Sequence, residues 1–282
     1  MTLVNDFIKI VQKIDNAVSL PKIEEVYFPS VPEQKIPNEK NATNFGAIQL
    51  EDNSIGIVFL NLSKKVKTKA GNYNRDLLLG KNPAEIAKKF SEKSLLNKTL
   101  ALGAINAISQ YLFKESTFSF DFTTNSLGLL DLNPNDKVGM VGFFPPLVKK
   151  IEKLGIPLVI IEKKEGFLKE TEKWEVTLDP KRLQECNKIL STTTTVLNDS
   201  VDDILRYSRN ASKISFIGPT GGFLPDPLFK RNVNVIGGTY VENATLFMEL
   251  IRKNKKWGPS TKKYCIKRED YITYKKLLER IK

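Results

Sequence analysis

The sequence predicts a two-domain α/β protein, a smaller α+β unit followed by a mostly parallel sheet, and three observations carry that expectation. The chain has 282 residues, close to the size at which one core stops growing and the chain divides. Its pattern changes character midway. Before residue 115, short strands separated by Pro, Asn and Gly sit among helical stretches. After residue 137 the strands become near-continuous Val and Ile runs, which is what strands buried on both faces require. Gly, Pro, Thr and Asn follow those runs, the residues that make turns.

Leu3, Phe7, Ile10, Ile14 and Val18 recur at helical spacing and predict an amphipathic helix that ends before Pro21. IEEVYFPS, NFGAIQLED and SIGIVFLNLS then read as strands, with Asp52-Asn53 suited to a hairpin turn. The polar stretch 61–82 reads as a long loop. Pro83 opens a helix, and LLNKTLALGAINAISQYLF forms a second with a Leu100, Ala104, Ala107, Tyr111 stripe. These elements make an α+β unit over residues 1–115. Residues 116–136 have weak periodicity and read as a linker.

From residue 137 to 282 the strands KVGMVG, PLVIIE, KILSTT, KISFIG and VNVIGGT alternate with helical stretches, the pattern of an open, Rossmann-like sheet. Ser200 followed by Asp203 resembles a capping box. The basic segment RKNKKWGPSTKKYCIKR and the residues after it, to the C-terminus, read as a helical extension.

Composition closes several routes. There is no histidine, so no Ser-His-Asp triad and no imidazole metal site can exist. Cys186 and Cys265 lie far apart without metal-ligand spacing. A metal, if handled, would arrive already chelated by an organic ligand. The net charge of +12 comes from lysines interleaved with glutamates, which describes solvated helix faces better than a nucleic-acid patch. The opening residues lack the sections of a secretory signal and no apolar run spans a bilayer; a cytoplasmic protein is expected. A small-molecule ligand is the expected partner, with a homo-oligomer left open.

Ligands of an open parallel sheet bind beyond the carboxyl ends of its strands, and there the sequence concentrates unusual chemistry. Gly139, Gly142 and Glu162 resemble part of a dinucleotide fingerprint, but the third glycine is missing and Phe143, Phe144, Pro145 and Pro146 occupy the phosphate approach. Thr192, Thr193, Thr194 and Thr195 with Asn198 offer hydroxyl and amide groups, or else complete a strand and turn. Gly218, Pro219, Thr220, Gly221 and Gly222 would let backbone N–H groups line a ligand. Gly238 and Thr239 follow the last strand. Asp226 and Glu242 are the carboxylates nearest these turns in sequence, candidates to hold a cation or act as a base. Asn106, an amide in an apolar helix, is either a satisfied core group or part of a site between the domains.

Taken together, ALGAINAI, VGMVGFF, LSTTTTVLNDSVDDIL, FIGPTGGFLPDPLF and VIGGTYVEN resemble a family named for heavy-metal chelation. The likeness spans about residues 1–255 and is strongest over 137–243. It implies an enolase-N-terminal-like domain joined to a Rossmann-like domain, with the site in the cleft between them. On matching positions it points to the turns beginning at Gly142, Thr192, Gly218 and Gly238, with Asn106 across the cleft. The functional expectation is binding, with transformation left open, of a polar metabolite, metallophore or metal chelate. The alternative is an enzyme dependent on NAD or S-adenosylmethionine. A divalent metal, a metal chelate and a nucleotide all remain open as cofactors.

Overall fold

A computed structural model describes residues 2–29, 44–60, 63–122, 127–163 and 165–281. Helix α1 (Leu3–Asp15) is capped by the Thr2 hydroxyl and leads into strands β1 (Ile23–Tyr27), β2 (Phe45–Leu50) and β3 (Ile55–Phe59). These three form an antiparallel meander in the order β1-β2-β3. At its hairpin Asn53 has φ 70°, a left-handed conformation that asparagine tolerates. The expected loop over 61–82 instead contains helix α2 (Lys64–Gly71), started by the Ser63 hydroxyl on Val66 N–H. The cap together with burial of Val66 and Ala70 organises this polar sequence; residues 61 and 62 lie outside the described residues.

Helix α3 (Pro83–Ala87) and helix α4 (Leu95–Glu115) complete the first half. The stripe expected on α4 is wider in fact: from Thr99 to Phe113 every residue but Tyr111 is buried, because α4 is enclosed on nearly every side. The expected linker is held down where it is described. Phe118 and Phe120 stack with Phe113, Phe120 also stacks on Tyr264, and Asp121 bridges to Cys265. Residues 123–126 lie outside the described residues.

The second half builds one eight-stranded sheet. Its elements are β4 (Val138–Val141), α5 (Pro145–Lys153), β5 (Leu158–Ile161), β6 (Lys169–Glu170), β7 (Trp174–Thr177), β8 (Lys188–Thr192), α6 (Val201–Tyr207), β9 (Lys213–Ile217), α7 (Asp226–Phe229), β10 (Val235–Val241), α8 (Ala244–Arg252), β11 (Thr261–Lys267) and α9 (Thr273–Glu279). The order is β11-β10-β9-β8-β4-β5-β7-β6, parallel except at the edge pairs β10/β11 and β6/β7. From β4 the chain moves one way to β5 and β7, then restarts at β8 on the other side of β4. The connections leaving the carboxyl ends of β4 and β8 therefore run to opposite sides, and that divergence opens a crevice.

Two sequence expectations change here. The C-terminal segment contributes edge strand β11 before the short helix α9, so it is not helical throughout. Ser200 makes no cap on α6; its hydroxyl goes to Asn198 Oδ1 instead.

Alternate residues of the sheet feed two cores. Val138, Met140, Leu158 and Ile160 meet α5 on one face, while Val141, Val159 and Ile161 join the apolar cluster of α1, α4 and the meander on the other. The meander itself is sandwiched: Ile48 and Val58 face the α4 side, and Ala47, Ile55 and Ile57 pack on Phe247, Met248 and Ile251 of α8. Ion pairs Arg231–Asp6 at 2.7 Å and Arg252–Glu25 cross between the halves.

Candidate functional site

The turns at the carboxyl ends of β4, β5, β8 and β9 converge on one cleft of about 710 Å³. Gly142, Phe143, Glu162, Thr192, Thr193, Thr194, Asn198, Gly218, Pro219 and Thr220 all line it. The meander closes another part of the wall with Asn44, Phe45 and Phe59, residues that sequence reasoning missed. Nothing in a hairpin strand signals that it will reach a sheet edge more than eighty residues away. Phe144, Thr195, Lys163 and Ser200 also line the cleft, and their position beside residues already singled out was the available clue.

The threonine run divides its labour. Thr193 to Val196 form a short 3-10 turn for which Thr192 is the cap. The Thr192 Oγ1 accepts Thr194 N–H and is 2.5 Å from the Thr194 hydroxyl, while the Thr195 hydroxyl donates to the Thr192 carbonyl at 2.7 Å. Thr193 and Thr195 are buried, whereas Thr192, Thr194 and Asn198 are only half-buried; all five line the cleft. The run is thus both turn chemistry and cleft floor.

The glycine-rich turn after β9 divides more sharply. Gly218 has φ +141°, and a Cβ there would stand 2.8 Å from Thr193 Oγ1, so the two turns touch only because this residue has no side chain. Thr220 is clamped: its hydroxyl accepts Phe59 N–H at 3.1 Å, and its carbonyl accepts Asn106 Nδ2 at 2.9 Å. Gly221 and Gly222 turn away from the cleft. Tyr264 O–H donates to the Gly221 carbonyl and Gln110 Nε2 to the Gly222 carbonyl. A Cβ on Gly221 would meet the Gly237 carbonyl at 2.8 Å, and one on Gly238 would meet Tyr264 at 2.4 Å. These glycines serve close packing, and Gly221, Gly238 and Thr239 do not line the cleft.

Asn106 is also behind the cleft rather than in it. It is fully buried, and its Nδ2 joins the Ile57 carbonyl of β3 to the Thr220 carbonyl at 2.8 and 2.9 Å. Ser109 and Gln110, on the same face of α4, bond Leu224 N–H and the Gly222 carbonyl. This polar stripe fixes the β9 turn against α4.

At the β4 turn most donors are engaged or absent. Gly142 N–H bonds the Ile161 carbonyl, and Phe143 N–H donates to Glu162 at 2.7 Å. Pro145 and Pro146 carry no N–H, and Leu147 and Val148 both donate to the Phe144 carbonyl. Gly139 packs against Leu183 and Ile189 in the core.

The two carboxylates proposed for a metal lie elsewhere. Asp226 accepts Tyr271 O–H at 2.6 Å and Tyr274 N–H at 3.1 Å, so it ties α9 to α7. Burial holds its carboxyl above the usual range, and these donors pull it part of the way back. Glu242 is exposed and paired with Lys262. Neither lines the cleft, and among the described residues no group of three His, Cys, Asp or Glu is placed to hold a metal ion. Both cysteines are buried, and burial pushes the Cys186 thiol up to about 11. No helix among the described residues is long and apolar enough to cross a membrane.

The fold and site define a mixed α/β protein with a polar-floored cleft at the carboxyl edge of its larger sheet. Residues 125–269 match the DUF364 family, described as "putative heavy-metal chelation", and the chain belongs to that family. It is 31% identical over 212 residues to an uncharacterized protein of Methanocaldococcus jannaschii, covering 71% of this chain and 77% of that one. Two DUF364 crystal structures, both of proteins with unknown function, share its fold. The one from Pyrococcus horikoshii has a TM-score of 0.71 at 17% identity, covering 94% of this chain and 100% of that one. The one from Desulfitobacterium hafniense has a TM-score of 0.66 at 19% identity, covering 93% and 98%.

Proposed function

We propose that the cleft binds a small polar metabolite, a metallophore or a metal chelate, with any metal enclosed by the organic ligand. The observation that carries this is the convergence of turns from four strands, roofed by the meander, on a single cavity of about 710 Å³, a size suited to a small-molecule site. Its half-buried Thr192, Thr194 and Asn198 groups suit oxygen-rich ligands. We read the parallel strands, in the order β7-β5-β4-β8-β9-β10, as a Rossmann-like unit and the first half as enolase-N-terminal-like, with the cleft at their junction.

A bare cation fits poorly. The chain has no histidine, both thiols are buried, and among the described residues no three of its cysteines and carboxylates are grouped to hold a metal ion. The nucleotide alternative is less favoured, because Gly142 and Phe143 N–H at the β4 turn are already engaged and Pro145 and Pro146 have none to offer. Isothermal titration of the protein with ferric citrate and with bare divalent ions tests the reading. The expected result is heat with the chelate, lost in a Thr192→Val, Thr194→Val double variant. Binding of the free ions alone would overturn it.

A further inference from the structure

Large apolar side chains that remain in water gather on one side of the cleft mouth. Phe167 is 42% exposed, Leu168 52% and Leu178 39%. The half-buried Phe143 joins this group to the cleft, its ring centroid 6.0 Å from that of Phe167 and 6.2 Å from that of Trp174. Lys169 sits over the Trp174 ring at 5.3 Å and holds the outer ring in place. Phe143 and Leu178 belong both to this lip and to the lining of the cleft. Inside the cleft a second aromatic pair, Phe45 and Phe59, meets edge to face with centroids 5.3 Å apart.

A single exposed apolar residue needs no explanation, but a contiguous group running into a cavity marks something that covers it. The covering object is small. A stable protein partner buries about 1,200–2,000 Å² in total, far more than three exposed side chains offer. Continuity with the cleft favours the cleft's own ligand. Thr192 and Thr194 line the cleft at the turn after β8, while apolar groups line other parts of it and continue outward past Phe143. The occupant that matches both is amphipathic.

We propose that the ligand carries an aromatic ring, with oxygen substituents held at the threonine turn and the ring seated against Phe143, Phe167 and Leu178. This rests on the binding reading above and adds its chemical class: an aromatic, oxygen-bearing chelator or metabolite in place of an aliphatic one. Aromatic faces of the lip then leave water on binding, which an aliphatic polyacid could not achieve.

The test compares two iron(III) complexes, that of 2,3-dihydroxybenzoate and that of citrate, by isothermal titration on the full chain. Phe167→Ser with Leu168→Ser is the lip variant; both residues are exposed and neither lines the cleft. Thr192→Val with Thr194→Val is the floor variant. The expected result is binding of the aromatic complex at least about ten-fold tighter than citrate, as the burial of one ring implies. The lip variant loses that advantage while its citrate affinity stays unchanged. Quenching of Trp174 fluorescence by the aromatic complex, in a Trp257→Phe background, gives an independent readout. Equal affinities that ignore the lip variant but fall in the floor variant overturn the aromatic assignment and leave the cleft reading standing. No binding of either complex overturns both. A lip variant that changes the oligomeric state, with chelate affinity intact, assigns the lip to self-association and overturns the proposal.

Discussion

Replacing Asn106 with leucine should loosen the joint between the meander and the sheet. β3 is an edge strand, and its Ile57 carbonyl and Phe59 N–H find partners in Asn106 Nδ2 and Thr220 Oγ1. Leucine keeps the branching and heavy-atom count of the side chain, at a larger volume, and removes both donors of the amide, leaving the Ile57 and Thr220 carbonyls without them. A buried acceptor orphaned in this way costs ~1–3 kcal/mol, so the gross loss is ~2–6 kcal/mol. Against it stands the Asn106 Oδ1, which is buried with no partner in the native protein. Its removal returns ~1–3 kcal/mol of desolvation. The net expectation is a loss of about 2 kcal/mol, read as a lower urea midpoint at unchanged slope. Asn106→Asp should lose more, because a carboxylate would face two carbonyl oxygens with no donor to offer. Affinity at the cleft should fall as well, since Thr220 loses one of its two anchors. A leucine variant within about 0.5 kcal/mol of the native protein would refute the reasoning that this amide is a structural clamp.

Two further predictions concern groups whose partners lie far away in sequence. Tyr271→Phe removes the donor at 2.6 Å from Asp226, a carboxyl that burial raises and this hydrogen bond lowers. Its loss should raise the carboxyl further and cost ~1–3 kcal/mol while the carboxylate is charged. The deficit should shrink as pH falls through that raised value and the carboxyl becomes protonated. Urea titrations at neutral and acidic pH decide this, and a deficit independent of pH would exclude the ionisation of Asp226 as its cause. Gly218→Ala combines a left-handed φ of +141° with a Cβ 2.8 Å from Thr193 Oγ1, and should cost ~1–3 kcal/mol. Adding Thr193→Ala relieves the contact but not the backbone strain, so the double variant should recover part of the loss; strict additivity would show that the two turns do not touch.

The parallel strands were legible because burial on both faces leaves little room for polar side chains: VGMV and LVII carry none, and in KISFI three of the five residues are large and apolar. The antiparallel edges were not. β6 and β11 are short or lysine-bearing, with exposed residues on the solvent side, so their composition resembles any charged surface segment. The threonine and Gly218–Thr220 turns were found from composition and do face the cleft. The same reasoning overreached at Gly221 and Gly238, where glycine answers to a neighbour's carbonyl or ring. It also overreached at Asp226, whose partner Tyr271 is 45 residues away.

By itself the sequence determined a parallel sheet, the turns that decorate its carboxyl edge, and the exclusion of histidine chemistry, because strand period, turn residues and composition are local properties. Only the tertiary structure decided that Asn44, Phe45 and Phe59 would roof those turns, that Asn106 would stand behind them, and that Phe143 would continue outward to Phe167. Those relations depend on how α4 and the meander dock against the sheet. That docking arises from apolar burial on three surfaces at once, and no window along the chain contains all three.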